Sequence, residues 1–135
     1  MWSFTIPGRF PSLNEYTSAN RINPHTGAAM KRHCTARVRV ACSGLGTPPG
    51  EPPWTVLVRW YERNAKRDDD NVAFGVKFIL DGLVAAHVIP NDSRAYISGI
   101  INDVLVDREN PRIEVFLVER ERVHVEIEED GDGWG

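Results

Sequence analysis

The sequence predicts a small α/β domain of the α+β kind, a mixed sheet of about four strands with two main helices in the order β-α-β-α-β-β. Three observations lead there. Four stretches alternate apolar and polar residues at the strand period. Two others suit helices, one of them with apolar residues at the helical period. The segments between are rich in Gly, Pro, Asn, Asp and Ser. With 135 residues and 41% hydrophobic content, the chain supports one core and needs no second domain.

Residues 2–6 alternate as a first strand, closed by Pro7-Gly8. Residues 8–27 read as a long loop offering Asn14, Tyr16, Asn20 and Arg21 as polar or stacking groups. A helix over about 27–43 carries Lys31, Arg32, Arg37 and Arg39, and a Gly/Pro-rich linker follows over 44–53. Residues 54–63 alternate through Val56, Val58 and Trp60 as a second strand. Val72, Val76, Ile79, Leu80 and Leu83 then mark the buried face of a helix that runs out near Ala86 and His87. Phe74 and Phe78 add a second stripe to it, open to packing within the domain or to a dimer contact. Residues 96–106 and 112–120 read as a hairpin around the turn 107–111, with Asp103 and Asp107 structural. The remainder, 121–135, is a short strand-like segment (Val123, Val125, Ile127) followed by an acidic tail.

Several classes are disfavoured. No apolar stretch nears 18 residues and Met1-Trp2-Ser3 opens no signal-peptide pattern, so a cytoplasmic protein without a membrane partner is expected. Cys34 and Cys42 lie eight apart on a predicted helix; the separation of about 12 Å forbids a disulfide and implies reduced thiols. His25, His33, His87 and His124 have no pairing spacing, which argues against zinc. The net charge of -3 hides a partition: residues 1–67 carry ten Lys/Arg against three Asp/Glu, and residues 68–135 six against sixteen. A basic half suits phosphate-rich partners, although ordinary surface chemistry also gives lopsided charge.

The chemistry concentrates at Arg67-Asp68-Asp69-Asp70-Asn71, with Arg63 and Lys66 just upstream. Three adjacent carboxylates repel one another and are normally solvated or neutralised by a cation. Asp is also a common helix cap, so a solvated N-cap and a metal site are both open. Asp68 and Asp70, two apart, point to one side of an extended segment entering a helix. Two such oxygens suit Mg2+, which takes one or two carboxylates with water and substrate phosphate, and Mn2+ could substitute. Asp92, in the turn Asn91-Asp92-Ser93, is the natural third ligand. At 100° per residue Asp70, Lys77 and Asp81 fall within about 40° of one another on a different face of this helix. Lys77 could then serve the carboxylate site, or simply pair with Asp81.

Arg67-Asp68-x-Asp70-Asn71, Leu80-Asp81-Gly82-Leu83 and Val88-Ile89-Pro90-Asn91-Asp92 together resemble the RusA family of Holliday-junction resolvases. The likeness extends to Phe4-Thr5-Ile6-Pro7 and Pro11-Ser12-Leu13-Asn14, similar to that family's first strand and its Pro-Ser-x-Asn loop, and spans roughly residues 3–119. It implies a RusA-like nuclease domain over 1–120 and a homodimer that binds four-way DNA junctions and nicks two strands with Mg2+, in recombination, repair or phage DNA processing. Asp68, Asp70 and Asp92 match the catalytic and metal-binding carboxylates, and Arg67 matches a basic residue placed for DNA. One departure stands out: the family's lysine lies one helical turn after the second aspartate, where this chain has Phe74, and Lys77 comes three residues later. Candidate DNA contacts are Arg67, Lys66, Asn14, Arg21, Lys31 and Arg32, with no small-molecule cofactor. The rival expectations are a carboxylate nuclease for flaps or forks, and a junction-binding protein that does not cut.

Overall fold

The computed structural model describes residues 1–119. The strand-like segment and acidic tail expected over 121–135 lie outside the described residues. The elements are β1 (Ser3–Pro7), α1 (Leu13–Ile22), α2 (Pro24–Cys42), β2 (Trp54–Glu62), α3 (Asp69–Ala73), α4 (Val76–Ala85), β3 (Ile97–Val106) and β4 (Arg112–Glu119). The mixed four-stranded sheet and the α+β class stand, but the helices number more than two.

Half of the expected loop over 8–27 is α1, and its last four residues open α2. Ser12 caps α1, accepting from the Glu15 N–H at 3.1 Å, while Asn23 caps α2 and Pro24 occupies that helix's first turn. Both starts have an ordinary sequence signature. Ser12-x-x-Glu15 has the form of a capping box, and Asn followed by Pro is a favoured opening.

The sheet order is β1-β4-β2-β3, with β4 antiparallel to both β1 and β2, and β3 parallel to β2. The expected hairpin of β3 with β4 is therefore corrected, because β2 lies between them. Residues 107–111 bridge two strand spacings, about 10 Å, which five residues span easily. The Asp107 N–H donates to the Glu62 carbonyl at 2.8 Å as the link passes the end of β2, and the Asp107 carboxylate takes the Glu109 and Asn110 N–H groups and Arg112. Asp107 is structural, as expected.

Both crossovers, β1 to β2 and β2 to β3, step the same way across the sheet, so a common handedness sets their helices on one face. There α2 packs on α4, and Val38, Phe78, Ile79 and Leu83 are fully buried against Val56, Val58, Trp60 and Val115. On the opposite face Arg59 lies over the Phe116 ring at 5.3 Å and Arg112 over Tyr61 at 3.8 Å. Among the described residues no helix is long and apolar enough to cross a membrane. Cys34 and Cys42 are buried free thiols on α2, and burial pushes both thiol pKa values up.

Candidate carboxylate site

Strand β2 delivers the chain to the acidic motif, and an aromatic cluster supports the helix that follows. Phe10 meets Trp60 and Phe78 edge-on at 6.2 and 5.7 Å, and Tyr16 packs on Phe74 at 5.3 Å. The Phe74 and Phe78 stripe is thus used inside the domain. The expected single helix is interrupted at Phe74-Gly75, where N–H groups of Gly75, Lys77 and Phe78 bond carbonyls three residues back. A Cβ on Gly75 would stand 2.9 Å from the Trp60 ring and 3.2 Å from Phe10, so only glycine lets the backbone lie this close.

The break changes the geometry inferred for Lys77. Asp70 belongs to α3, whereas Lys77 and Asp81 belong to α4, and the tightened turn between them shifts Lys77 and Asp81 from the face they would share with Asp70 at 100° per residue. Lys77 is exposed and makes no ion pair among the described residues. Asp81 pairs instead with Lys31 of α2, at 3.6 Å, which corrects the expected Lys77–Asp81 pair.

Asp68, Asp69 and Asp70 are all exposed. Asp68 occupies the N-cap position of α3, but its side chain makes no capping hydrogen bond. Among the described residues none of the three enters an ion pair. Capping therefore does not account for them. Next to them the Asn71 side chain accepts from the Asn14 N–H at 3.2 Å, tying α1 to the motif; the candidate Asn14 contributes through its backbone.

Arg67 faces inward. Its guanidinium donates to the Phe10 carbonyl at 2.9 Å and to Glu62 at 3.4 Å, and it also holds Glu15. Glu62 is buried at the end of β2, and Arg9 stands 3.7 Å from the same Oε1 that Arg67 meets. Burial, then the charges of Arg67 and Arg63, hold Arg9 below its ordinary pKa. Burial alone would raise Glu15, but the charge of Arg67 and hydrogen bonds from Ser12 and Arg67 carry it below the usual carboxylate value. Arg67 is thus a strut that fixes the loop before the carboxylates. This network had no local sequence signal, because its members are up to 57 residues apart.

The other candidates divide between two regions. Lys66 and Arg63 are exposed beside the acidic motif, and Arg21 is exposed near the end of α1. Lys31 and Arg32 lie on α2, together with the exposed Arg39, whose place four and eight residues along from Thr35 and Lys31 could have marked it. Asp92 is exposed in the turn beyond α4, where the Ser93 N–H donates to the Asn91 side chain and Tyr96 holds the start of β2 through its carbonyl. The α3–α4 arm, about 25 Å long, runs from the end of β2 back to its start. Asp92 therefore belongs to the far end of that arm. Among the described residues no three His, Cys, Asp or Glu side chains come together as a metal-binding group. Asp68 and Asp70 share one short segment, and Asp92 does not join them within the chain.

Comparison with protein-family models and with curated proteins found no match to this chain. The resemblance to RusA resolvases rests on the residues quoted for it.

Proposed function

We propose that the chain is a Mg2+-dependent endonuclease of branched DNA, acting as a homodimer on four-way junctions in the manner of the RusA family. The observation that carries this reading is the exposed Asp68-Asp69-Asp70 run, which among the described residues has no capping bond or ion pair and stands on a braced strand-to-helix turn. Three adjacent like charges repel one another unless water or a cation offsets them, and their exposure leaves them open to a cation. The donor set fits the group: hard carboxylate oxygens open to water are what a hydrated Mg2+ takes.

Asp68 and Asp70 would hold the ion, which when bound would activate water and offset charge on a scissile phosphate. Lys66 and Arg63 stand where the DNA backbone would reach the motif; such contacts position without reading sequence. Asp92 completes the set only from a second copy, since its own chain carries it to the far end of the α3–α4 arm. Strand β3 is an edge strand with Ile100, Ile101 and Val106 exposed, and antiparallel apposition of two copies there would bring one copy's Asp92 end toward the other's Asp68–Asp70 end. Two such sites related by a two-fold axis suit paired, symmetric nicks.

The test is a divalent-metal cleavage assay on a mobile four-way junction beside a flap and a plain duplex. Junction-selective nicking by the wild type, abolished in Asp70→Asn with junction binding retained or tightened, is the expected result. Wild-type cleavage by Asp70→Asn would end the metal-site reading. Equal cutting of flap and junction would assign a general branched-DNA nuclease, and binding without cutting a junction-binding protein.

A further inference from the structure

Between α2 and α4 runs an open groove of about 450 Å³ whose polar walls are Lys31, Arg32, Thr35, Arg39 and Asp81. Ala36 and Ala85 form its apolar part. The helices come close beside it because α4 has Gly82 opposite Val38; a Cβ there would stand 2.4 Å from the Val38 side chain and 3.1 Å from the Thr35 carbonyl. The hydroxyl of Thr35 is shielded from solvent and has no hydrogen-bond partner. Three cations face one carboxylate, and that carboxylate, Asp81, is held by Lys31 at 3.6 Å.

We propose that this groove is a track for the backbone of one nucleic-acid strand, with Lys31, Arg32 and Arg39 on successive phosphates and the Lys31–Asp81 pair as a built-in brake on affinity. The proposal rests on the nuclease reading for its class of ligand and adds a surface outside the carboxylate motif. Lys31 and Arg39 are eight helical residues apart, about 12 Å, far enough for the two to meet different phosphates of one strand. Among the described residues no aromatic side chain lines the groove, so these walls offer bases no stacking platform, and the small alanines leave room for sugars. Recognition here is therefore electrostatic and indifferent to sequence. Asp81 repels a phosphate and occupies Lys31, so its charge lowers the affinity of the track.

The probes are fluorescently labelled four-way junction, duplex and single-stranded DNA, titrated by anisotropy without divalent metal across a range of salt. Arg32→Gln/Arg39→Gln is expected to weaken binding of all three about tenfold and to reduce the salt slope by nearly two, one for each lost phosphate contact. Asp81→Asn is expected to tighten binding several-fold. An unaltered affinity and slope in the double variant, with wild-type binding intact, would overturn the track and leave the nuclease reading standing. Wild-type protein that binds none of the three probes would overturn both. Saturable binding of inorganic phosphate that Arg39→Gln abolishes, with DNA affinity unmoved, would also overturn the track in favour of a small-anion site. Thermal melting of each variant, expected to match wild type, separates lost contacts from lost fold, and Arg39→Glu supplies a second variant at the same position.

Discussion

Arg67 joins three segments distant in sequence through one guanidinium: the Phe10 carbonyl before α1, Glu15 within α1, and Glu62 at the end of β2. Its removal would leave Glu62, whose side chain is 6% exposed, with only Arg9 at 3.7 Å. Breaking a buried pair from one side is costly because the remaining charge stays desolvated. Arg67→Ala is therefore expected to lower the unfolding free energy by about 3 kcal/mol, measured by urea denaturation. Unchanged stability would contradict the strut and return Arg67 to the DNA surface. A smaller effect is expected at His87, which ends α4 at φ 60°, with its N–H bonded to Val84 and that of Val88 to Leu83. This is the left-handed cap position that glycine favours, so His87→Gly should stabilise the protein by about 1 kcal/mol. A drop in melting temperature would mean that the imidazole makes a contact worth more than the backbone strain.

At the scale of elements, Gly75 separates α3 from α4 and lets the arm settle on Trp60. Gly75→Ala would place a methyl 2.9 Å from that indole, and because Trp60 is fully buried it has little room to yield. The expected cost is about 1 to 3 kcal/mol, as for overpacking elsewhere, read from the denaturation midpoint. A neutral result would show that the ring moves freely. The same element illustrates what the sequence could disclose. Val72, Val76, Ile79, Leu80 and Leu83 repeat at the helical period, and the stripe faces the core as expected, with Val72, Ile79 and Leu83 buried and Val76 and Leu80 half-buried, since that signal is local. The break inside the helix depends on how close Trp60 comes, which no spacing along the chain encodes. Helix α1 was legible in principle, through Ser12-x-x-Glu15 and Asn23-Pro24, but its polar composition read as a loop. The β3–β4 pairing misled for a different reason: adjacent strands with a short link usually pair, and here β2 occupies the space between. As for the site, the exposed acidic run was plain in the sequence. The position of Asp92 relative to it was not, because that follows from the direction of the α3–α4 arm.

For the whole molecule that direction has a consequence. If each site takes Asp68 and Asp70 from one copy and Asp92 from its partner, neither variant alone should cut, but mixtures of the two should. Consider Asp70→Asn and Asp92→Asn chains unfolded together and refolded, or exchanged by subunit dissociation. In a mixed dimer one site inherits both substitutions, and the other takes Asp70 from the Asp92→Asn chain and Asp92 from the Asp70→Asn chain, so it is intact. An equimolar mixture in which half the dimers are mixed should then recover about a quarter of wild-type single-strand nicks, and few paired nicks, since only one site per mixed dimer works. Carboxylates that instead met within one chain would leave both sites of the mixed dimer dead, because each chain would carry one lesion in its own site. A mixture as inactive as its components, with exchange verified by a tagged chain, would therefore reject the shared site while leaving Asp68 and Asp70 as candidates. Recovery of nicking would fix both the dimer and the role of Asp92 in a single measurement, using variants whose substitutions are exposed and add no bulk.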